Sequence, residues 1–470
     1  METLRALRKH IRAAQLSDET AALDALVKTA AISEATRGRI ARRAEGTIND
    51  IRETGKPGLM EVFLAEYGLS TDEGVALMCL AEALLRVPDA ETIDALIEDK
   101  VAPSSWGEHL GRSSSPLVNA STWALLLTGT VLNEDSAGGL AGVLRGAVKR
   151  LGEPVIRAAV KRAMKELGSQ FVLGETIESA IARGEQQEKS GFTYSYDMLG
   201  EAALTAKDAQ KYFAAYGDSI AALAGRCNSD DSHDNPGISI KLSALHPRYE
   251  VSQKERVMAE LVDRAKALSL MAMKANMGLT FDAEEADRLD LSLDVIEAVV
   301  RDSELAGWDG FGVVVQAYDK RAPHVIDWLH ALARHLDRRI TVRLVKGAYW
   351  DTEIKRAQVD GIADFPVFTR KAATDVSYIC CAAKLLSMTD RVYPQFATHN
   401  AHTVSAVLKL SADGQPFEFQ RLHGMGEALY NAVRSRENSR CRIYAPVGAH
   451  RDLLAYLVRR LLENGANSSF

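Results

Sequence analysis

The chain has 470 residues, 47% of them hydrophobic and 26% charged, with a formal net charge of −6 and a pI near 6.1. That length exceeds one ordinary core, so a large domain with one or two smaller ones is expected. The acidic balance argues against a nucleic-acid surface as the main business of the chain, and the cysteines, Cys79, Cys227, Cys380, Cys381 and Cys441, show no metal-ligand spacing and fit a reducing, cytoplasmic setting.

The opening run METLRALRKHIRAA mixes Glu2 with basic residues and lacks the apolar segment of a secretory signal. Up to about residue 170, Leu and Ala recur at helical spacing without alternating runs. Punctuation from Gly55 to Gly58 divides this half into an N-terminal helical arm, 1–57, and a helical domain, 58–172. Ser70 and Glu73 form a capping box ahead of apolar periodicity from Val75 to Leu85, which Pro88 stops, and a second helix is expected from Asp89. The longest uncharged stretch, Ser113 to Asn133, is broken by Pro116, Asn119 and Ser121 and does not read as a membrane span.

From about residue 190 short β-rich runs alternate with helical patterns: Phe192 to Met198, Ile238 to Leu242, Leu279 to Phe281, Phe311 to Ala317, Ile340 to Val345, Gln395 to Thr398, Phe417 to Arg421 and Arg442 to Ala445. Eight such units predict an α/β fold, a (β/α)₈ barrel over 173–470, rather than an open doubly wound sheet. Active sites of such barrels lie at the C-terminal strand ends, and polar residues stand there in number: Lys241, Asp282, Gln316, Arg343 with Lys346, His399 with Asn400, His423 and Tyr444.

The run RLVKGAYW is the most informative of these. Alternation along Arg343, Val345 and Gly347 turns a cation inward, Gly347 admits close approach of a flat ligand, and Tyr349 and Trp350 add aromatic surface. Arg370 and Lys371 place positive charge where a helix begins, a natural seat for a diphosphate. A flat, charged, phosphate-bearing cofactor follows from these residues, without its identity. The Gly424-Met425-Gly426 run has Leu429 in place of the third glycine of a dinucleotide fingerprint and reads as a tight turn. His399 and His402 lack a third ligand, so no metal is expected. Lys241 and Lys346 leave open a Schiff-base aldolase.

Near the C-terminus Tyr456, Arg459, Arg460 and Glu463 recur on one helical face, with leucines on the other. Adjacent arginines repel, and sharing one carboxylate offsets that cost with better geometric definition than a lysine pair gives.

Together these residues resemble the proline dehydrogenase family, most closely the proline dehydrogenase portion of bacterial bifunctional proline utilization A. The likeness rests on GISIKLSALHPRYE, DAEEADRL, GFGVVVQAYDKRA, RLVKGAYWDTEIKRAQ, FPVFTRKAATDVSY, YPQFATHNAHT, EFQRLHGMGEALY and RIYAPVGAHRDLLAYLVRRLLENGANSSF. It implies a distorted (β/α)₈ barrel binding FAD non-covalently, oxidation of L-proline to Δ1-pyrroline-5-carboxylate, electrons passed to a membrane quinone, and a last helix lying over the barrel mouth. By position it implies that Arg459 and Arg460 hold the proline carboxylate, assisted by Lys241, with Asp282 and Glu463 positioning the cations. Tyr444 and Tyr456 would pack on the substrate ring, with Leu422 and Tyr349 completing the pocket. Arg343 would donate near the flavin N5. Ala283, Gln316, Val345, Lys346, Gly347, Ala348, Trp350, Thr369, Arg370, Lys371, Thr374, Thr398, His399, Asn400, Leu422 and Glu463 would line the remainder of the FAD site.

Two departures qualify the likeness. No ribbon-helix-helix segment is read at the N-terminus, so nucleic acid is not an expected partner. The sequence ends soon after the arginine helix, so an aldehyde dehydrogenase domain and any peripheral contact with the inner membrane face are expected of a longer parent protein. Besides the aldolase, a non-catalytic sensor of a carboxylate ligand stays open.

Overall fold

The structure is a computed structural model and describes residues 2–54, 171–437 and 439–448. The Ser70–Glu73 box, Cys79, the Ser113–Asn133 stretch and the helix with Tyr456, Arg459, Arg460 and Glu463 lie outside those residues. Eight parallel strands close into a barrel in sequence order: β1 (Thr193–Met198), β2 (Gly237–Ile240), β3 (Gly278–Phe281), β4 (Phe311–Gln316), β5 (Ile340–Val345), β6 (Val392–Ala397), β7 (Glu418–Leu422) and β8 (Cys441–Val447). β8 pairs with β1, Tyr444 opposite Ser195, and the ring has no edge to protect.

All eight strands expected from the sequence are present, with shifted ends. β2 stops at Ile240 because the chain turns at Lys241 into a short helix, and Leu242 belongs to that turn. β6 starts at Val392 and includes Pro394, a residue without an N–H that discourages a strand reading.

After α1 (Glu2–Ala13), α2 (Glu19–Ala30) and α3 (Glu34–Thr54) of the arm, helices alternate with the strands: α4 (Ile177–Lys189) before β1, then α5 (Ala206–Ala224), α6 (Leu242–Leu245), α7 (Lys254–Lys274), α8 (Leu289–Val300), α9 (Ala322–His335), α10 (Trp350–Val359), α11 (Lys371–Leu386), α12 (Ala401–Leu410) and α13 (Glu427–Glu437). Their starts are chemically marked. Thr176 with Ser179 and Thr205 with Asp208 form capping boxes, and the Asn400 side chain accepts from the Thr403 N–H at 2.9 Å.

Outward strand residues such as Ile238, Phe281, Val313, Val342, Leu344, Phe419 and Ile443 are buried under the helices. The barrel interior is polar where branched apolar side chains are the norm. At its N-terminal end Arg442 donates from Nε to Glu418 Oε1 at 2.6 Å and from Nη1 to the carbonyls of Tyr194 and Asn235 at 3.0 Å, while Gln395 donates to Glu418 at 2.7 Å.

The arm consists of α1 (Glu2–Ala13), α2 (Glu19–Ala30) and α3 (Glu34–Thr54). α1 packs on α9, α2 on α11, and α3 along α12 and α13. Buried Arg8 anchors α1, donating to Asp290 at 2.6 Å and Asp294 at 2.8 Å with its guanidinium over the Trp328 ring. The arm and the barrel from Thr176 to Val447 form one compact unit. Among the described residues no helix is long and apolar enough to cross a membrane.

Candidate active site

The C-terminal ends of β1, β2, β3, β5 and β8 bring one charged cluster together. Lys241, just past β2, donates from Nζ to Asp197 Oδ1 and Oδ2 at 2.8 and 2.9 Å, and its Nζ lies 3.4 Å from both Asp282 Oδ2 and Tyr444 Oη. Arg343 crosses the interior from β5, with Nη1 donating to Asp282 Oδ1 and Ser239 Oγ at 3.0 Å, Nη2 to Ser195 Oγ at 3.3 Å and Nε to Gln395 Oε1 at 3.3 Å. Tyr444 donates to Asp282 Oδ2 at 2.8 Å and lies beside the same guanidinium. Two cations thus meet two carboxylates. The cluster is neutral overall, so Lys241 and Arg343 are compensated within the protein.

Burial sets the protonation states. It works against the charge on Lys241, but Asp197, Tyr444 and Asp282 outweigh it and hold the ammonium well above the usual lysine range. Burial pushes the Asp197 carboxyl up, with Lys241 opposing, and pushes the Tyr444 hydroxyl well up. A Schiff-base lysine must be a neutral amine, so Lys241 in this setting is a poor nucleophile. Burial lowers the Lys346 pKa against the pull of Asp375, whose Oδ1 stands 2.5 Å from its Nζ.

Sequence reasoning missed Asp197, the fully buried partner of Lys241, and Tyr216, whose hydroxyl accepts from the Lys241 N–H at 3.2 Å. The signal for Asp197 was available: Ser195 and Asp197 alternate with Tyr194 and Tyr196 along β1, and an acid near a strand's C-terminal end belongs with the other strand-end residues.

Beside the cluster, the β5 turn forms a cradle. Gly347 has φ +138°, and a Cβ there would stand 2.4 Å from Tyr318 Cγ. The turn is held by the Ala317 and Tyr318 N–H groups donating to the Val345 and Lys346 carbonyls at 2.8 and 2.7 Å, and by the Ala348 N–H donating to Gln316 Oε1 at 3.3 Å. Gln316 is oriented by its bond to the Glu284 carbonyl at 2.9 Å, one residue past Ala283. The Gly347 α-carbon packs against the Tyr318 ring, and the half-buried turn flanked by Gln316 and Lys346 fits the edge of a flat group. Tyr349 stands at the N-cap of α10, and Trp350 donates from Nε1 to the Phe368 carbonyl at 2.8 Å.

The remaining expected cofactor residues fall on two neighbouring segments. Thr369 and Arg370 precede α11, Lys371 opens it and binds Asp375 at 2.8 Å, and Thr374 is buried in its first turn. Thr398, His399 and Asn400 lead from β6 into α12. Their turn is fixed by the Tyr430 hydroxyl on the Thr398 carbonyl at 2.7 Å and by the Leu422 N–H donating to His399 Nε2 at 2.9 Å. His423 follows Leu422, and burial with nearby Arg183 and Arg421 lowers its pKa to about 3. Gly424 and Gly426 have φ +77° and +67°, a turn. His402 is exposed, and among the described residues no group of three His, Cys, Asp or Glu side chains converges as a metal site.

Family models match three stretches: Proline dehydrogenase over residues 180–470, DNA-binding domain of Proline dehydrogenase over 59–171, and Proline utilization A proline dehydrogenase N-terminal domain over 5–52. The second corrects the expectation of no nucleic-acid link: that expectation rested on net charge and the first residues, and net charge is blind to a local domain. The chain is 52% identical to "Bifunctional protein PutA" of Salmonella typhimurium over 98% of this chain and 36% of that protein. It is 28% identical to "Proline dehydrogenase 1" of Bacillus subtilis over 64% of this chain and 88% of that one. A crystal structure of a Bradyrhizobium japonicum Proline Utilization A mutant superposes with a TM-score of 0.73 at 50% identity, over 97% of this chain and 46% of that chain. The chain therefore spans between a third and a half of the length of these bifunctional relatives. With a family match that runs along the barrel carrying the Lys241–Asp197–Asp282–Arg343 cluster, the chain belongs to the proline dehydrogenase family.

Proposed function

We propose that this chain oxidises L-proline to Δ1-pyrroline-5-carboxylate with non-covalently bound FAD, the electrons passing on to a quinone, as the first step of proline catabolism in the cytoplasm or at the inner face of the membrane. The family match over the barrel carries this reading, and the Gly347 cradle beside a neutralised polar cluster supports it. FAD, when bound, supplies the two-electron acceptor.

The protein groups have binding and orienting work. A hydride leaves the ring carbon beside nitrogen, the nitrogen lone pair forms the C=N bond, and the iminium proton goes to water. That requires an uncharged amine, a fixed ring and a water to take the proton, rather than an acid or base residue. Tyr444, held by Asp282, is a wall against the substrate ring. Gln316, Lys346 and the Gly347–Ala348 backbone would hold the flavin, and Arg370, Lys371 and Thr374 its phosphates. Since Lys241 and Arg343 are matched by Asp197 and Asp282, the substrate carboxylate needs cations from elsewhere. Arg459 and Arg460 are proposed for it.

A flavin spectrum of the purified chain, before and after anaerobic L-proline, tests this: yellow protein that bleaches is expected. A borohydride-trapped imine would mark an aldolase, and colourless protein that binds proline a sensor. Arg459→Met and Arg460→Met are each expected to raise KM about 10- to 100-fold with FAD retained, the loss of one charged hydrogen bond.

A further inference from the structure

The turn between α1 and α2 touches the barrel beside the flavin cradle at two points. Glu19, the first residue of α2, accepts through Oε2 from the Thr369 N–H at 3.0 Å and from Thr369 Oγ1 at 2.7 Å. Its other oxygen is buried, makes no hydrogen bond, and lies 3.8 Å from Arg370 Nε. Two residues earlier, the Ser17 carbonyl accepts from Lys320 Nζ at 2.8 Å. The Lys320 side chain is fully buried, and its nearest carboxylate, Asp364, stands at 3.4 Å, so the arm supplies the shorter acceptor for a buried ammonium.

These two barrel segments are themselves joined. The Lys320 N–H donates to the Pro366 carbonyl at 3.2 Å, the Phe368 N–H to the Tyr318 carbonyl at 2.8 Å, and Asp319 bridges Val367. Tyr318 is the residue whose ring fills the space beside Gly347. A line of contacts therefore runs from Ser17 and Glu19, through Lys320 and Thr369, to the floor of the cradle. Thr369 and Arg370 are exposed residues at the head of a 16-residue helix, and without an outside partner their backbone would be the loosest part of that seat.

We propose that Glu19 is a positioning residue for the cofactor: the arm's carboxylate fixes Thr369 and Arg370 so that the head of α11 is preset for the phosphates of a flavin dinucleotide. This rests on the flavin reading above. Glu19 bonds Thr369 and pairs with Arg370 but makes no bond to α11 itself, so it orders the entrance without occupying the helix's first turn. Preordering of this kind acts on affinity, because a ligand that meets a fixed segment does not bear the entropy of ordering it.

The test is a titration of flavin-stripped full chain with FAD, followed by quenching of flavin fluorescence. Glu19→Ala is expected to raise the FAD Kd about tenfold, and Glu19→Gln, which keeps an oxygen for Thr369 but loses the charge facing Arg370, about threefold. The Glu19→Ala penalty is expected to shrink in a Thr369→Ala background, since the two share one contact. KM for proline at saturating FAD stays at the wild-type value. A Kd for Glu19→Ala within twofold of wild type overturns the proposal, as does tighter binding, which would make Glu19 a competitor of the phosphate. Additive losses from Glu19→Ala and Thr369→Ala overturn it as well, marking a merely structural clasp. Should Glu19→Ala not fold, an unchanged Kd in Glu19→Gln decides against it. If wild-type apoprotein binds no FAD at all, it is the flavin reading that falls.

Discussion

Lys241 Nζ lies 2.8 Å from Asp197 Oδ1, with the two side chains only 9% and 1% exposed. A buried pair of this kind contributes little net stability as a pair, yet removing one partner strands the other. Asp197→Ala and Lys241→Met are each expected to destabilise the fold by about 3–5 kcal/mol. They should differ in pH dependence. Asp197 already has a raised carboxyl pKa from burial, so the stability tied to it is present at low pH and lost as pH rises through the folded value. Without Lys241 that loss deepens, so the Lys241→Met deficit in chemical denaturation should be smaller at pH 5 than at pH 8. Equal deficits would show that Asp197 does not carry the charge assigned to it.

The loop after β3 is held by two further buried acids. Glu284 accepts from the Ser243 N–H at 3.0 Å and Glu353 from the Ala286 N–H at 2.7 Å, and burial raises each carboxyl to about 7. In both cases the folded pKa lies above the unfolded value of 4.5, so their contribution is complete below that value and disappears as pH climbs to about 7. Glu284→Gln keeps an oxygen for Ser243 and removes the proton dependence. It should match wild type in stability near pH 4 and exceed it near pH 8, by an amount of order 3 kcal/mol. Thermal melts of both proteins across that range check it.

The strand count and the strand-end polar residues were legible because β-rich runs, each followed by helical periodicity, repeat along the barrel half. Arg343 was legible too, as an inward position of an alternating strand. Its partners were not. Ser195, Ser239 and Gln395 come from other strands, 52 to 148 residues away in sequence, and small polar residues inside a strand carry no sign of which cation they meet. Asp197 escaped because it lies inside the tyrosine-rich run read as a strand, one residue short of its end. The Glu19–Thr369 bond spans 350 residues, and nothing local to a helix's first acidic residue distinguishes a partner at that distance from solvent.

Arg442 and Glu418 separate stability from chemistry. They sit in the barrel at the end away from the Lys241 cluster, 2.6 Å apart, with side chains 4% and 1% exposed. Glu418→Gln leaves the guanidinium with neutral partners only, and burying an uncompensated cation is expected to cost about 3–5 kcal/mol. Because this end of such barrels serves stability, the KM for proline and the flavin content of the folded fraction should stay at wild-type values. A large change in KM with unaltered melting would move Glu418 into the functional machinery.

Gly347→Ala tests the cradle most directly. The backbone there has φ +138°, a region that L side chains rarely adopt, and the added methyl would meet Tyr318 Cγ at 2.4 Å. Tyr318 cannot easily yield: it is buried, its N–H is bound to the Lys346 carbonyl at 2.7 Å, and its carbonyl takes the Phe368 N–H at 2.8 Å. Strain of about 1–3 kcal/mol should appear in the melting of the apoprotein. The turn would relieve it by moving the Lys346 to Ala348 backbone, which is the surface proposed to face the flavin. FAD affinity should therefore fall by more than the melting shift alone explains, while Glu418→Gln, of greater thermal cost, leaves it intact. Comparing the two variants in one FAD titration distinguishes damage to the cradle from damage to the barrel.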